Sequence, residues 1–420
     1  MKILWLCNIT PPAVSAALGE APNPFGGWIS GMLDSLSGLD EIKITVCFPR
    51  GGDDRLLTGE TKGIGYCGYC EKPDSTETFR EIIRRVSPDV IHIWGTEYKH
   101  TLDMVNAAES LGLMDRVAIN IQGLVSVCGK YHYYAGLPES VCGPISLKEH
   151  LHKCSIADQK TEMENRGAFE IEALKKVRHV IGRTEWDEAC TRQINPSVAY
   201  HHNYESLRET FYHHTWDVDK CRPHSIFVSQ SNYPIKGFHK MLEAMPFILA
   251  EYPDAHLFTT GTKPARPETL RRKLAQRSYP KYIRELMEQY SLEDHITFLG
   301  LLNEQEMCEQ YLKANVFVSP SSIENSSNSI GEALLLGMPV VSSDVGGVKD
   351  FIRHGENGYL YPFDAPYMLA YYVCRVFENR EKAAEAGRLA GKTARSYYDR
   401  ESNCRMLLSI YHDIAVCEKR

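Results

Sequence analysis

A chain of 420 residues that is 43% hydrophobic and 24% charged is too long for one hydrophobic core and predicts two soluble domains of about 200 residues each. Its net charge of -7 and the lack of any RRM, zinc-finger or basic-helix pattern argue against nucleic acid as a partner. No run reaches the roughly 18 apolar residues of a membrane span, and the opening MKILWLCNIT is too short for a signal segment, which predicts a cytoplasmic protein at most peripheral to the inner face of a membrane.

Thirteen cysteines, an odd number spread from Cys7 to Cys417, predict reduced thiols rather than a disulfide framework. Cys67 and Cys70 in YCGYC have zinc or redox spacing. A zinc site needs two further ligands and no second C-x-x-C follows, so ordinary thiols beside a loop are expected.

From the N-terminus, apolar runs of strand length alternate with helical patterns: KILWLC, WISGMLDSL, IKITVCF, TETFREIIRRV, DVIHIW and RVAINIQ. Near-continuous apolar strands separated by helices predict a parallel sheet covered by helices. The series continues through a helix over about 158–178, the strand HVIGR, the helix TEWDEACTRQI and the strand VAYHH. Residues 205–223 lose this rhythm, gain charge and histidine, and read as a linker. A second series opens at SIFVSQ and runs through HKMLEAMPFILAEY, HLFTTG, ITFLG, NEQEMCEQYLKA, VFVSP and PVVSSD. The closing SNCRMLLSIYHDIAVCEKR has apolar residues near three-four spacing and predicts a terminal amphipathic helix. The fold class is α/β, two Rossmann-like parallel sheets with a cleft expected between them. Ligands of such sheets bind outside the carboxyl ends of the strands.

The segment SPSSIENSSNSIGEALLLGMP, residues 319–339, sets Glu324 and Glu332 eight positions apart around a strand-to-helix connection of small residues. The start of that helix, Asn328, Ser329, Ile330 and Gly331, offers free backbone N–H groups and a positive dipole end, with room for a phosphate. Flanking carboxylates accept hydrogen bonds from hydroxyls, so the ligand suggested is a nucleotide-sugar. Glu332 also has a purely local reading: Ser329-x-x-Glu332 fits a capping box, with Gly337 and Pro339 as the helix stop. Glu324 lies in a loop where no cap requires it.

Glu324, seven intervening residues and Glu332, followed by EALLLGMPVVSSDVGG with Gly346-Gly347, resemble the donor-site signature of the family-four retaining glycosyltransferases (glycosyl transferases group 1). That resemblance implies the GT-B fold, two Rossmann-like domains facing across a cleft. It implies an N-terminal acceptor-binding domain, 1–205, on which a last helix at about 400–420 packs back, and a donor-binding domain, 220–395. It gives Glu332 the ribose hydroxyls and Glu324 the hydroxyls of the transferred sugar.

Other positions gain meaning beside it. Gly26-Gly27 follow the first strand, where missing side chains let backbone N–H groups approach a diphosphate; a plain turn is the alternative. Lys236 opens the helix after SQSNYPIKG, against the local dipole, and so wants a negative partner; a solvated lysine is the alternative. Its position resembles the family's diphosphate lysine, although the usual arginine five residues earlier is Ser231 here. Gln122 ends a strand where related enzymes carry a histidine; an amide hydrogen-bonds but neither takes nor gives a proton near neutral pH, so orientation is its expected role. Trp94 and Glu97, the cluster Tyr131, His132, Tyr133 and Tyr134, and Arg183 are the candidate acceptor contacts, weighed against tyrosines that only anchor a loop and a structural hydrogen-bonding arginine. Aromatic faces with polar tips suit sugar rings.

The catalytic candidates are therefore Glu324, Lys236 and Gln122, with no cofactor. Metal ligation by Asp217 and Asp219, or by His201-His202 with His213-His214, is weighed against a solvated turn and packed histidines, and no metal is expected. The implied reaction moves a hexosyl group from a nucleoside diphosphate sugar, UDP- or GDP-linked, to a hydroxyl of a glycan or lipid-linked acceptor with retention of configuration. An epimerase or sugar phosphorylase on the same scaffold and a non-catalytic nucleotide-sugar-binding subunit are the alternatives.

Overall fold

A computed structural model of the chain describes residues 1–20 and 27–416. The chain divides into two compact units. The first is Met1–Val127, Asn165–Arg208 and Tyr397–Arg420; the second is Cys128–Glu164 and Glu209–Ser396.

The first unit carries β1 (Lys2–Leu6), β2 (Lys43–Arg50), β3 (Leu57–Thr61), β4 (Ile64–Cys70), β5 (Val90–Trp94), β6 (Val117–Asn120), β7 (His179–Gly182) and β8 (Ala199–His202). They form one sheet in the order β3-β4-β2-β1-β5-β6-β7-β8, parallel except that β3 runs antiparallel to β4. Side chains alternate across its two faces. Leu4 and Leu6 enter one core with Ile91 and Ile93, while Ile3 and Trp5 enter the other with Val46 and Val90, as the two-residue period of a strand requires. The helix Arg400–Val416 closes the second of these cores with Leu407, Ile410, Tyr411 and Ile414. The Tyr411 hydroxyl accepts from Trp5 Nε1 at 2.9 Å and lies 2.5 Å from His92 Nδ1.

The hairpin β3–β4 interrupts the expected rhythm. Cys67 and Cys70 lie on β4 rather than in a loop. Three residues apart on a strand, they point to opposite faces and cannot hold one ion. Every described cysteine is a free thiol; Cys417 lies outside the described residues.

The second unit carries β9 (Ser225–Val228), β10 (His256–Thr259), β11 (Ile296–Phe298), β12 (Val316–Ser319), β13 (Val340–Ser343) and β14 (Tyr359–Tyr361). Their order is β11-β10-β9-β12-β13-β14, parallel throughout. The order reverses beside β9: the chain steps outward to β10 on one side, then returns to β12 on the other. Such a switch point opens a crevice at the carboxyl ends of the two strands.

Two boundaries differ from the sequence reading. Residues 128–164 belong to the second unit rather than to 1–205. The His132 carbonyl accepts from Ser322 Oγ at 3.1 Å, Ala135 O from His239 Nε2 at 2.7 Å, and Glu149 Oε1 from the Ser278 amide at 2.8 Å. The region read as a linker is anchored as well. Phe211 and Trp216 are buried, and Trp216 donates its indole N–H to Ala314 O at 2.7 Å and its amide to Leu336 O at 2.8 Å. Among the described residues, no helix is long and apolar enough to cross a membrane.

Candidate functional site

The loops that follow β9 and β12 meet at the switch point, and two backbone features let them. After β9 the chain makes a short 3-10 turn, Pro234–Lys236, ended by Gly237 at φ +68°. A Cβ on Gly237 would lie 1.7 Å from the Pro320 carbonyl oxygen, so only glycine permits the approach. The Ser322 amide then donates to Ile235 O at 2.8 Å. On the far side, Gly346 has φ +54° and an added Cβ would stand 2.0 Å from the Glu324 carbonyl oxygen, which accepts from the Gly347 amide at 3.0 Å.

This framework brings Lys236 and Glu324 together. Lys236 Nζ donates to Glu324 Oε1 at 2.6 Å, and the same oxygen accepts from Ser321 Oγ at 2.7 Å. The lysine retains 31% side-chain exposure and the glutamate 10%, so both are oriented and still reachable. Lys236 ends the 3-10 turn rather than opening the following helix, Phe238–Glu251, and its negative partner is Glu324. Ser231 is buried and donates to Thr260 O at 2.7 Å. It supplies no charge, which leaves Lys236 as the cation of this turn.

The helix after β12 runs Asn328–Leu336, with Ser327 at its N-cap and Gly337 in the left-handed conformation as its stop. The capping-box reading of Glu332 is overturned. A capping box needs the acid at the third helical position, whereas Glu332 stands at the fifth. Such reciprocal capping is seen at the helix Glu304–Lys313, between Asn303 and Glu306. Glu332 is buried on its helix. The first-turn amides of Asn328, Ser329 and Ile330 precede the first i to i-4 bond, Gly331 N to Ser327 O at 2.9 Å, and so need partners from elsewhere. Ile330 is itself buried and has only its backbone to offer. Ser329 is fixed by Tyr311, whose hydroxyl donates to its carbonyl at 3.1 Å, and by Ser229 Oγ at 3.1 Å from its own hydroxyl.

In the first unit the expected residues separate into support and exposed chemistry. Arg183 is a support. It donates to Glu205 Oε2 at 2.8 Å and to Ile121 O at 3.0 Å, and both members of this ion pair are under 5% exposed, at 3% and 4%. Its assignment as an acceptor contact is therefore corrected: the guanidinium is consumed inside the unit. Trp94 is corrected for the same reason, since its buried ring stacks on His92 at 4.2 Å and meets Trp5 edge-on. Gln122 is half-buried and donates to Asn120 Oδ1 at 3.0 Å and to Glu205. Glu97 curls over Gly95, where an added Cβ would lie 2.2 Å from its Oε2 and 3.5 Å from Gln122 Cγ. Burial and then the neighbouring Glu170 carboxylate raise the Glu97 acid to about 7.

The tyrosine cluster lies in the second unit, not the first. Tyr133 is buried and donates to Gln159 Oε1 at 3.1 Å, so its ring is not open to a sugar. Tyr131 is 67% exposed. Gly27 begins the helix Gly27–Ser37; Gly26 lies outside the described residues.

Asp217 pairs with Lys220 at 2.9 Å and Asp219 with Arg380 at 3.1 Å, the solvated turn weighed above. His201 faces His179 at 3.0 Å, His202 bonds Arg183 O, His213 bonds Glu209 and His214 bonds Thr210 O. No group of three or more metal-ligating side chains occurs among the described residues. The sequence reading missed Glu205 and Glu170; the latter accepts from the amides of Val125 at 3.0 Å and Ser126 at 2.9 Å.

Comparison with known proteins bears on this geometry. Residues 212–393 match the family model "Glycosyl transferases group 1", a span that falls within the second unit. Spore coat protein SA of Bacillus subtilis is 27% identical over 179 residues, covering 42% of this chain and 45% of that protein. Phosphatidyl-myo-inositol mannosyltransferase of Mycobacterium tuberculosis is 26% identical over 198 residues, covering 45% and 47%. The chain thus spans under half the length of these curated relatives. Among solved structures, sucrose-phosphate synthase of Thermosynechococcus elongatus superposes with a TM-score of 0.71 at 16% identity, covering 99% of this chain and all of that one. Anabaena HepE in complex with UDP-glucose gives 0.66 at 15%, covering 98% and 100%. The two parallel-sheet units are those of a GT-B fold, and the chain carries a glycosyl transferases group 1 domain over residues 212–393.

Proposed function

We propose that the protein is a retaining glycosyltransferase that moves a hexosyl group from a nucleoside diphosphate sugar to a hydroxyl acceptor, in the building of a surface polysaccharide or glycan. The observation that carries this reading is the Lys236–Glu324 pair, 2.6 Å apart at the switch point of the second sheet and on the same loop system as the open amides of Asn328 and Ser329. A diphosphate accounts for both halves. Its charge meets Lys236 and the helix N-terminus, and the sugar it carries presents hydroxyls to Glu324. Glu332 is assigned to the ribose.

The leaving diphosphate is neutralised by a lysine and fixed amides, so the reaction needs no metal. Among the described residues no carboxylate stands at the switch point free to attack the anomeric carbon: Glu324 is held by Lys236 and Ser321. Front-face displacement fits that arrangement, with the leaving phosphate taking the acceptor proton. UDP is the favoured nucleotide, supported by the UDP-glucose complex of the structural neighbour HepE. The acceptor is a glycan or lipid-linked hydroxyl, reached in the cytoplasm or at the inner face of a membrane.

A thermal-shift screen against UDP-, GDP- and ADP-sugars tests the donor directly, because only a ligand of the native state raises Tm. One nucleotide class should stabilise selectively, with nucleotide release in the presence of EDTA once an acceptor is supplied. Stabilisation by inorganic phosphate and not by any nucleotide would move the protein to the phosphorylases.

A further inference from the structure

Two short helices of the second unit show leucines that the fold leaves uncovered. The first is Leu147–His152. Its N-cap, Ser146, accepts from the Glu149 amide at 3.2 Å. The Glu149 side chain turns inward: it is buried, and its two oxygens accept from the amides of Ile145 at 2.9 Å and Ser278 at 2.8 Å. At about 3.6 residues per turn, Leu147 and Leu151 lie together on the helix face opposite Glu149. They are 53% and 68% exposed, and Ile145, just before the helix, is exposed as well. The buried acid thus fixes one face of this helix, and the other offers apolar side chains to solvent beside the exposed Lys148.

The second helix is Leu270–Leu274. Its two leucines are again four positions apart, at 73% and 46% exposure. Ser278 follows four residues later, so the bond from its amide to Glu149 ties the two segments together. The sequence around this helix is basic. Residues 262–277, TKPARPETLRRKLAQR, hold six lysines and arginines and one acid, in a chain whose acids outnumber its lysines and arginines by 54 to 47. Lys263 is matched by Glu293 at 2.6 Å, Arg266 by Glu288 at 3.0 Å and Arg272 by Glu268 at 3.3 Å. Positive charge remains in excess, and Arg271, next to Leu270, is exposed.

Exposed leucines set among cations fit an anionic bilayer better than other partners. Acyl chains take the leucines and headgroup phosphates take the cations. A nucleic acid would use the cations and leave the leucines in water, and a second copy of this acidic chain would not call for both on the same segments. We propose that these two segments dock the second unit on the surface of an anionic phospholipid bilayer. Leu147, Leu151, Leu270 and Leu274 enter the acyl boundary, and Lys148 and Arg271 meet the phosphates. This gives a surface to the membrane location proposed above and rests on the glycosyltransferase reading only for what the protein does there.

Co-sedimentation of the full chain with vesicles tests it, using phosphatidylcholine alone and phosphatidylcholine with about one part in three of phosphatidylglycerol. The anionic vesicles should bind at least about tenfold more tightly than the neutral ones. Leu147→Gln with Leu151→Gln should weaken that binding by about tenfold or more through lost apolar burial. Lys148→Gln with Arg271→Gln should weaken it on the order of twentyfold, at roughly fivefold per cation. All four positions are exposed, so the melting curves and the affinity for UDP should match the unsubstituted protein. The proposal is overturned if neither vesicle sediments the protein, if neutral vesicles bind as well as anionic ones, or if the leucine substitutions leave binding intact. It is also overturned if duplex DNA of random sequence binds more tightly than the anionic vesicles, or if light scattering shows a dimer that the leucine substitutions dissociate. The patch would then belong to a nucleic acid or to a second copy of the chain. Vesicle binding without UDP binding would remove the donor reading and leave this one standing, and UDP binding without vesicle binding would do the reverse.

Discussion

Two clusters of charge, one in each unit, look alike on a residue inventory and differ in what surrounds them. In the first unit Arg183 and Glu205 are both almost fully buried, and their remaining hydrogen bonds go to backbone carbonyls and to Gln122. In the second, Lys236 and Glu324 are paired as closely but open to solvent on one side, with exposures of 31% and 10%. A pair sealed on both sides has nothing left to offer a ligand and serves the scaffold. A pair held by backbone from behind and open in front can exchange one partner for a substrate.

The comparison breaks most visibly on the sealed side. Glu205→Ala leaves a buried guanidinium uncompensated and should destabilise the first unit by about 3–5 kcal/mol. Urea unfolding followed by tryptophan fluorescence checks this, because Trp5, Trp94 and Trp186 all belong to that unit; an unchanged midpoint would deny the support role. On the open side, Glu324→Ala and Lys236→Ala should lower kcat by roughly 10²–10³-fold with little change in the melting curve, and wild-type turnover in both would remove the assignment. Gly346→Ala forces a Cβ toward the Glu324 carbonyl at a positive φ. It should cost about 1–3 kcal/mol of stability and reduce turnover together, as a displaced Glu324 requires. Glu332→Ala should raise the Kd for the nucleotide by about tenfold, measured by titration with UDP; intact affinity would leave Glu332 a buried helix residue only.

The smallest effect concerns Glu97. Its acid is held at about 7 by burial, against an ordinary value of 4.5. Between those values the folded chain keeps a proton that the unfolded chain has lost, so this group's contribution to stability is present below about 4.5 and is lost as pH rises through about 7. Glu97→Gln should flatten that part of the profile of Tm against pH, and an unaltered slope would place the carboxyl in water.

What the sequence made legible follows from how local each signal is. The alternation of apolar strands and helices is local, and KILWLC, DVIHIW, VFVSP and the terminal helix were all readable. So was the Glu324 loop, where small residues bracket an acid that no helix cap needs. The β3–β4 hairpin was not, because its strands contain glycines that ordinarily argue against strand. Here they make room for neighbours: a Cβ on Gly59 would meet the Tyr66 hydroxyl at 2.2 Å, and one on Gly65 would meet Thr45 Oγ1 at 2.9 Å. Residues 128–164 were misassigned because nothing in their own pattern names the unit they join; that is decided by Ser322, His239 and Ser278, more than 100 positions later. Arg183 was weighed as an open charge, and its partner Glu205 was missed, for the same reason, since burial is a property of the neighbours. The S-x-x-E pattern misled by two residues, the distance between Ser329 and the N-cap at Ser327.

The helix Arg400–Val416 completes the core that β1 begins, its Tyr411 hydroxyl bonded to Trp5. During synthesis, then, Trp5 on β1 emerges 406 positions before Tyr411, the partner of its indole N–H. The second unit, whose segments end at Ser396, has all of its chain earlier. Assembly should therefore run against the order of the sequence, with the second unit mature before the first, which is closed by the helix Arg400–Val416.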